Sequence, residues 1–301
     1  MPPMTPTAQG ITLAQETFGK AVPVAEGFWI LATRHRPGLS KNMFEINNRC
    51  LIFRLNDQGK PVLLVANAVD PAQAFGEVHR IEKETGLAVR YLLSVGGGHH
   101  LHMAPWVEEF QQARVLLPPV RVPRTRNGQK LLKMSRVEVM NLEDPLPQFK
   151  GQLDAVVFHG LLGLRDTLTA GEGGPDTGWA MMKVMFEMVK GPSDPVDELW
   201  LHHAATGTVV AGENLAWYYP AAERAKLLFM GKAMIKADKV WIFDKPRKVG
   251  DAAVVAACWK KVLAWPARAL MTYHDPPGNA ATQEPQAALE RAVRDVRQLG
   301  A

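Results

Sequence analysis

The run Val89-Arg90-Tyr91-Leu92-Leu93-Ser94-Val95 passes directly into Gly96-Gly97-Gly98-His99-His100-Leu101-His102. A largely apolar stretch followed by three glycines reads as a buried strand whose chain turns sharply as it leaves the sheet. Three of the nine histidines fall within the next four positions. Imidazoles crowded at a strand end suit a metal ion, because the neutral ring is a borderline-soft ligand at neutral pH. A surface loop that happens to carry histidines satisfies the same pattern, so the remaining elements have to discriminate.

Those elements alternate. Ala25 to Thr33 and Asn48 to Leu55 read as strands, and the turn signal Asn56-Asp57-Gln58-Gly59-Lys60 leads into a third, Pro61 to Ala66. Asp70-Pro71 opens a helix over Ala72 to Thr85, which Gly86 stops. The strand Leu87 to Val95, a short helix from Trp106 to Ala113 and a strand from Arg114 to Leu117 follow. This order implies helices packed on a sheet with partly parallel pairing. Further on, Ser135 to Leu142 and Leu153 to Phe158 predict short strands. Glu198 to His203 and Thr208 to Val210 predict a hairpin around Ala204-Ala205-Thr206-Gly207. The last part reads as helix (Ala221 to Lys236), strand (Lys239 to Phe243), helix (Ala252 to Leu263), strand (Ala267 to Tyr273) and an amphipathic helix (Glu284 to Leu299).

Leu161 to Asp197 interrupts the strand pattern and contains a methionine-rich helix, Trp179 to Lys190. Methionine adapts to irregular apolar surfaces, so this helix suits covering a pocket, a subunit contact in a homodimer, or ordinary core packing. No linker divides the series. The expectation is one domain over 1–301 with two β-rich halves and the methionine-rich segment near 161–197 as an insertion.

Hydrophobic and charged fractions of 47% and 22% exclude a disordered or fibrous chain. The net charge of +5 is mild, and its one compact basic cluster, Arg121 to Lys133, is broken by Pro123 and Gly128. It reads as a solvated loop, so no nucleic-acid partner is expected. Cys50 and Cys258 match neither a disulfide framework nor a CxxC site and read as packed thiols. Met1 to Gly10 lacks a charged-then-apolar signal pattern, and no apolar stretch reaches bilayer length. Cytoplasmic residence with no membrane partner is the expectation.

Polar clusters stand at the ends of several apolar strands: His99/His100/His102, His159, His202/His203 with Glu213, and His274. Loops at strand ends on a rigid sheet are where mixed α/β folds carry chemistry. His35 and His79 stand apart and read as solvated. The order of elements over Ala25 to Gly278 resembles the metallo-β-lactamase fold, a four-layered αβ/βα sandwich in the α/β (α+β) class. Its HxHxDH motif falls on His100-Leu101-His102-Met103-Ala104-Pro105, which keeps both HxH histidines and replaces the aspartate and following histidine by Ala104 and Pro105. The bridging aspartate of the family falls on Glu213 and its last histidine on His274. His159 and His203 are the candidates for the third-motif histidine, with His203 preferred over its neighbour His202 because it is nearer the turn.

The resemblance implies a metal-binding groove at the sandwich edge, with His100, His102, His203, Glu213 and His274 as ligands. On an extended segment residues two apart share a side, so His100 and His102 pair while His99 points away. Ala104 and Pro105 cannot hold a second metal. One divalent ion, zinc or iron, remains compatible with two or more histidines and one carboxylate. Three functions follow from that. The first is a hydrolase of a small apolar ester, lactone or amide, attacking with metal-activated water and using Glu213 as ligand or general base. The second is an iron enzyme doing redox or oxygenase chemistry in the same groove. The third is a pseudo-enzyme that only binds a ligand or partner.

Overall fold

A computed structural model describes residues 16–35, 46–96, 102–163, 189–191, 193–212, 217–218, 240–241, 247–274 and 284–298. Gly27, at φ 70°, closes a tight turn inside the apolar run predicted as a single strand over Ala25 to Thr33. Two strands result, β1 (Ala21–Ala25) and β2 (Phe28–His35). β3 (Ile46–Asp57) and β4 (Lys60–Ala66) form the predicted hairpin. Both turn residues, Gln58 at φ 49° and Gly59 at φ 86°, lie in the left-handed region that matches the twist of a two-residue hairpin.

Helix α1 (Pro71–Thr85) starts where Asp70 accepts a hydrogen bond from the Ala72 amide and stops at Gly86, φ 67°. Strand β5 (Val89–Leu93), helix α2 (Met103–Glu109), strand β6 (Arg114–Leu117), helix α3 (Arg126–Leu131) and strand β7 (Val137–Val139) complete the first half. The seven strands form one sheet in sequence order, antiparallel from β1 to β4 and parallel from β4 to β7. The basic stretch Arg121 to Lys133 is not a solvated loop. It holds a short 3-10 turn and α3, capped by the Thr125 hydroxyl, with Val122 and Leu131 buried against the sheet.

The second half supplies β8 (Leu153–Gly163), β9 (Asp194–His203), β10 (Thr208–Ala211), β11 (Trp217–Tyr218), β12 (Val240–Trp241), β13 (Arg247–Val249), helix α4 (Ala252–Leu263), β14 (Ala269–Thr272) and helix α5 (Pro285–Gln298). Its five-stranded sheet has the order β13-β8-β9-β10-β14, with β10 and β14 parallel and the other neighbours antiparallel. β11 and β12 pair separately. The predicted helix Ala221 to Lys236 and all but the last two residues of the methionine-rich helix lie outside the described residues.

Alternating side chains explain the layering. On the first sheet, Leu51, Phe53, Leu64 and Leu93 face inward, where they join Leu199, Leu201, Val210 and Met271 of the second sheet in one core. Their neighbours Cys50, Ile52, Leu63 and Val65 face outward onto Ala74, Val78 and Ile81 of α1 and Trp106 of α2. On the other sheet Trp200, Val209 and Leu270 face outward onto Val255 and Trp259 of α4 and Leu289 of α5. The result is helix, sheet, sheet, helix. Burial on both faces accounts for the near-continuous apolar runs that signalled these strands.

Candidate functional site

Polar burial is concentrated at one end of the sandwich. β4, β5, β10 and β14 finish there, and β3 begins there, because Leu51 pairs with Ala66 at the last residue of β4. Asn47, Asn48, Arg49, Asn67, Ser94, Asp197, Glu198, Thr272 and His274 are all buried at this end. Asn67 sits just past β4 at φ 68°, a left-handed conformation that asparagine tolerates better than most residues. Its side-chain amide donates to Asn48 Oδ1 at 2.7 Å and to the Arg49 carbonyl at 2.6 Å, and its backbone amide donates to the Leu93 carbonyl at 3.0 Å. One residue, through its side chain and its backbone amide, thus ties together the ends of three strands.

Arg49 joins the two sheets. Its Nε and Nη2 donate to the two carboxylate oxygens of Glu16 at 2.7 and 2.9 Å, and Nη1 donates to the Thr272 carbonyl at 2.9 Å. Its backbone amide donates to the Tyr273 carbonyl at 2.8 Å. One residue further along, His274 is buried with its Nδ1 2.5 Å from the Asn47 carbonyl. A carbonyl can only accept, so Nδ1 carries a proton. That is how metal-ligating histidines are commonly oriented.

Val95 and Gly96, just past β5, reach across to the second sheet. The Leu199 amide donates to the Val95 carbonyl at 3.0 Å, and Gly96 bridges Glu198. Gly96 has φ 105°, and a Cβ there would stand 2.6 Å from the Asp197 carbonyl oxygen. Asp197 accepts the amides of Val120 and Arg121 at 2.6 and 3.0 Å, which holds the chain leaving β6, while burial pushes its carboxyl above the usual range. Glu198 is fully buried, between Gly96 and Gly212; a Cβ on Gly212 would come within 2.7 Å of its Cβ. Burial, with the Glu198 charge adding to it, raises the Tyr273 phenol well above its ordinary value. Sequence reasoning missed Glu198. Its signal is an adjacent acidic pair, Asp197-Glu198, directly before the apolar run Leu199-Trp200-Leu201 of a buried strand.

His102 directly precedes α2 and is half-buried. The Trp106 indole donates to the Val69 carbonyl at 2.7 Å, so α2 lies beside the chain leaving β4. His100 and Glu213 lie outside the described residues. His203 is not brought to this end. It pairs with Thr208, which pairs with Ala269, five residues before His274 and therefore roughly 16 Å away along the strand. There it packs on Phe28 and Phe53, with Nδ1 3.0 Å from the Thr206 hydroxyl, and burial pushes its pKa down to about 4. His202 faces outward at that same end, stacked on Trp265 and 3.4 Å from Asp154. His159 lies against Cys258 of α4 in the outer layer. His79 is not simply solvated, since it bridges Glu82 and Glu109 at 2.8 and 2.7 Å.

Among the described residues no three His, Cys, Asp or Glu side chains converge as a metal cluster. The donor types present at the polar end, the imidazoles of His102 and His274 and the buried carboxylates of Asp197 and Glu198, are types that zinc or iron accepts.

Two β-sheets enclosed by helices, with polar groups gathered at one edge, define the metallo-β-lactamase fold, and this chain has it. Solved structures with that architecture match nearly the whole chain. The metallo-beta-lactamase FIM-1 from Pseudomonas aeruginosa, in its mono-zinc form, superposes with a TM-score of 0.51 at 10% identity, over 94% of this chain and 97% of its own. A metallo-beta-lactamase from Erythrobacter litoralis gives 0.51 at 14% identity, over 94% and 99%. The metal-soaked flavodiiron core of Flv1 from Synechocystis sp. PCC6803 gives 0.50 at 13% identity, over 93% of this chain and 60% of its own. No protein-family model and no curated protein sequence matches the chain.

Proposed function

We propose that this protein is a metal-dependent hydrolase of a small, largely apolar ester, lactone or amide, with one divalent metal ion, zinc in this reading, held at the polar end of the sandwich. The observation that carries the reading is His274, buried at the end of β14 with Nδ1 fixed by the Asn47 carbonyl. Ligands would come from His274 and His102 and, outside the described residues, from His100 and Glu213. A divalent ion in this place supplies a water ionised near pH 7 (pKa about 7). The chain's own residues do the positioning. Asn47 sets the His274 tautomer, Arg49 and Glu16 hold the strand end that presents it, and Glu213 serves as ligand or general base. Ala104 and Pro105 offer no donor side chains, which favours one ion over two. The apolar character of the substrate rests on the methionine-rich segment.

A second reading has iron performing redox chemistry at the same end; the similarity to a flavodiiron core favours it. Metal analysis of the purified protein separates the readings. About one equivalent of zinc supports the hydrolase, and iron supports the redox reading. Less than a tenth of an equivalent of any metal refutes both. His274→Ala should empty the site while His203→Ala leaves metal content unchanged, and the reverse pattern would overturn the ligand assignment.

A further inference from the structure

The end of the first sheet remote from His274 holds a cavity of about 480 Å³. It opens where β4, β5 and β6 begin, so it is separate from the polar end described above. Its volume lies within the roughly 300–1,000 Å³ of sites for small organic ligands. Lys60, Arg90 and Arg114 line it from three different strands or strand starts, against one acid, Asp57.

The charges are not equally engaged. Asp57 is occupied by the Tyr91 hydroxyl, which donates to it at 2.6 Å. Arg114 is held by both oxygens of Glu138, with Nη2 2.7 Å from Oε2, and its guanidinium carbon stands 5.8 Å from the Tyr91 ring centre. Arg90 contacts the neutral Gln112 amide, Nη1 to Oε1 at 2.8 Å, and so keeps its full charge and further donors. Lys60 forms no ion pair among the described residues. Lys60 and Arg90, on adjacent strands, thus face one cavity without a salt bridge among the described residues, and with Arg114 they outnumber its one carboxylate, Asp57. The rest of the lining contributes three primary amides, Gln58, Gln112 and Gln148, each able to donate and accept.

We propose that this cavity binds a small phosphomonoester on a polyhydroxylated body, such as a sugar phosphate. Lys60 and Arg90 take the phosphate, and the glutamine amides take the hydroxyl groups. A dianion meets both cations at once, and charged hydrogen bonds of this kind are the stronger ones. Amides that both donate and accept suit hydroxyls, which do the same.

Calorimetric titration of the full chain with ribose 5-phosphate, inorganic phosphate and ribose tests this. Ribose 5-phosphate should bind more tightly than phosphate, and ribose should show no binding. Lys60→Gln and Arg90→Gln should each weaken the sugar phosphate about tenfold. Both side chains are surface groups, so unchanged thermal unfolding of each variant confirms its fold. His274→Ala should leave binding unchanged, which separates this cavity from the proposed metal site. Absence of binding at 10 mM ligand, insensitivity to both substitutions, loss in His274→Ala, or binding of a single-stranded oligonucleotide without ribose 5-phosphate would each overturn the assignment.

Discussion

Gly96→Ala is the perturbation that most directly tests how the two sheets are joined at the polar end. Two costs add. At φ 105° the backbone is outside the regions an L residue adopts easily, which costs about 1–3 kcal/mol. The new Cβ would also stand 2.6 Å from the Asp197 carbonyl oxygen and 3.1 Å from both Glu198 Cα and Oε2. Backbone has to move, and forced repacking of this kind costs roughly 1–3 kcal/mol. The total is about 4 kcal/mol, or a fall in Tm on the order of 10 °C. Gly59→Ala is the internal control, because Gly59 has φ 86° and nothing within 4 Å of where the alanine methyl would stand, so it carries the backbone cost alone. Urea denaturation of both variants gives the difference, expected at about 1–3 kcal/mol in favour of Gly59→Ala. Hydrogen exchange should also show the Leu199 amide, bonded to Val95 at 3.0 Å, opening more readily in Gly96→Ala alone. Equal stability of the two variants would refute the claim that close approach of β5 to β9 requires glycine.

Glu16→Gln removes a fully buried carboxylate that faces the Arg49 guanidinium, and urea denaturation should show a loss of about 3–5 kcal/mol; a loss below about 1 kcal/mol would mean the ion pair does not clamp the sheets. His203, with its pKa lowered to about 4 by burial, is neutral in the fold, so below the unfolded value of about 6.5 the unfolded chain binds the extra proton. Stability should therefore be complete above that value and fall as pH drops toward about 4, by about 1.4 kcal/mol per unit. His203→Gln should flatten that slope in thermal melts between those limits, and an unchanged slope would refute the assignment.

Local signals made much of the fold legible. The Asn56–Lys60 turn, the Asp70-Pro71 cap with Gly86, and the apolar period of α4 each specify their element with few neighbours involved. Where the reading failed, composition hid the geometry. The Glu26-Gly27 turn lies inside the strand predicted from Ala25 to Thr33, so β2 was read through the turn and β1, apart from Ala25, was missed. α3 lies in a basic stretch whose charged residues face water while Val122 and Leu131 do the packing. β13, three residues on a sheet edge, has too little pattern to see.

The site was legible in part for a related reason. Strand-end position singled out His274, which lies buried at the polar edge because β14 runs parallel to β10 and both finish there. The same rule misplaced His203, since it ignores strand direction. β9 and β10 are antiparallel, so the residues flanking their turn, His203 and Thr208, lie together at one end of the sheet. The residues at the open end of the hairpin lie together at the other. The partner of the Gly212 end of β10 is therefore the beginning of β9, and the group found there is Glu198, whose Cβ would meet a Gly212 methyl at 2.7 Å. Reading a hairpin from its turn selects His203, whereas reading it from its open end selects Glu198. Only the open end shares an edge with Gly96 and His274.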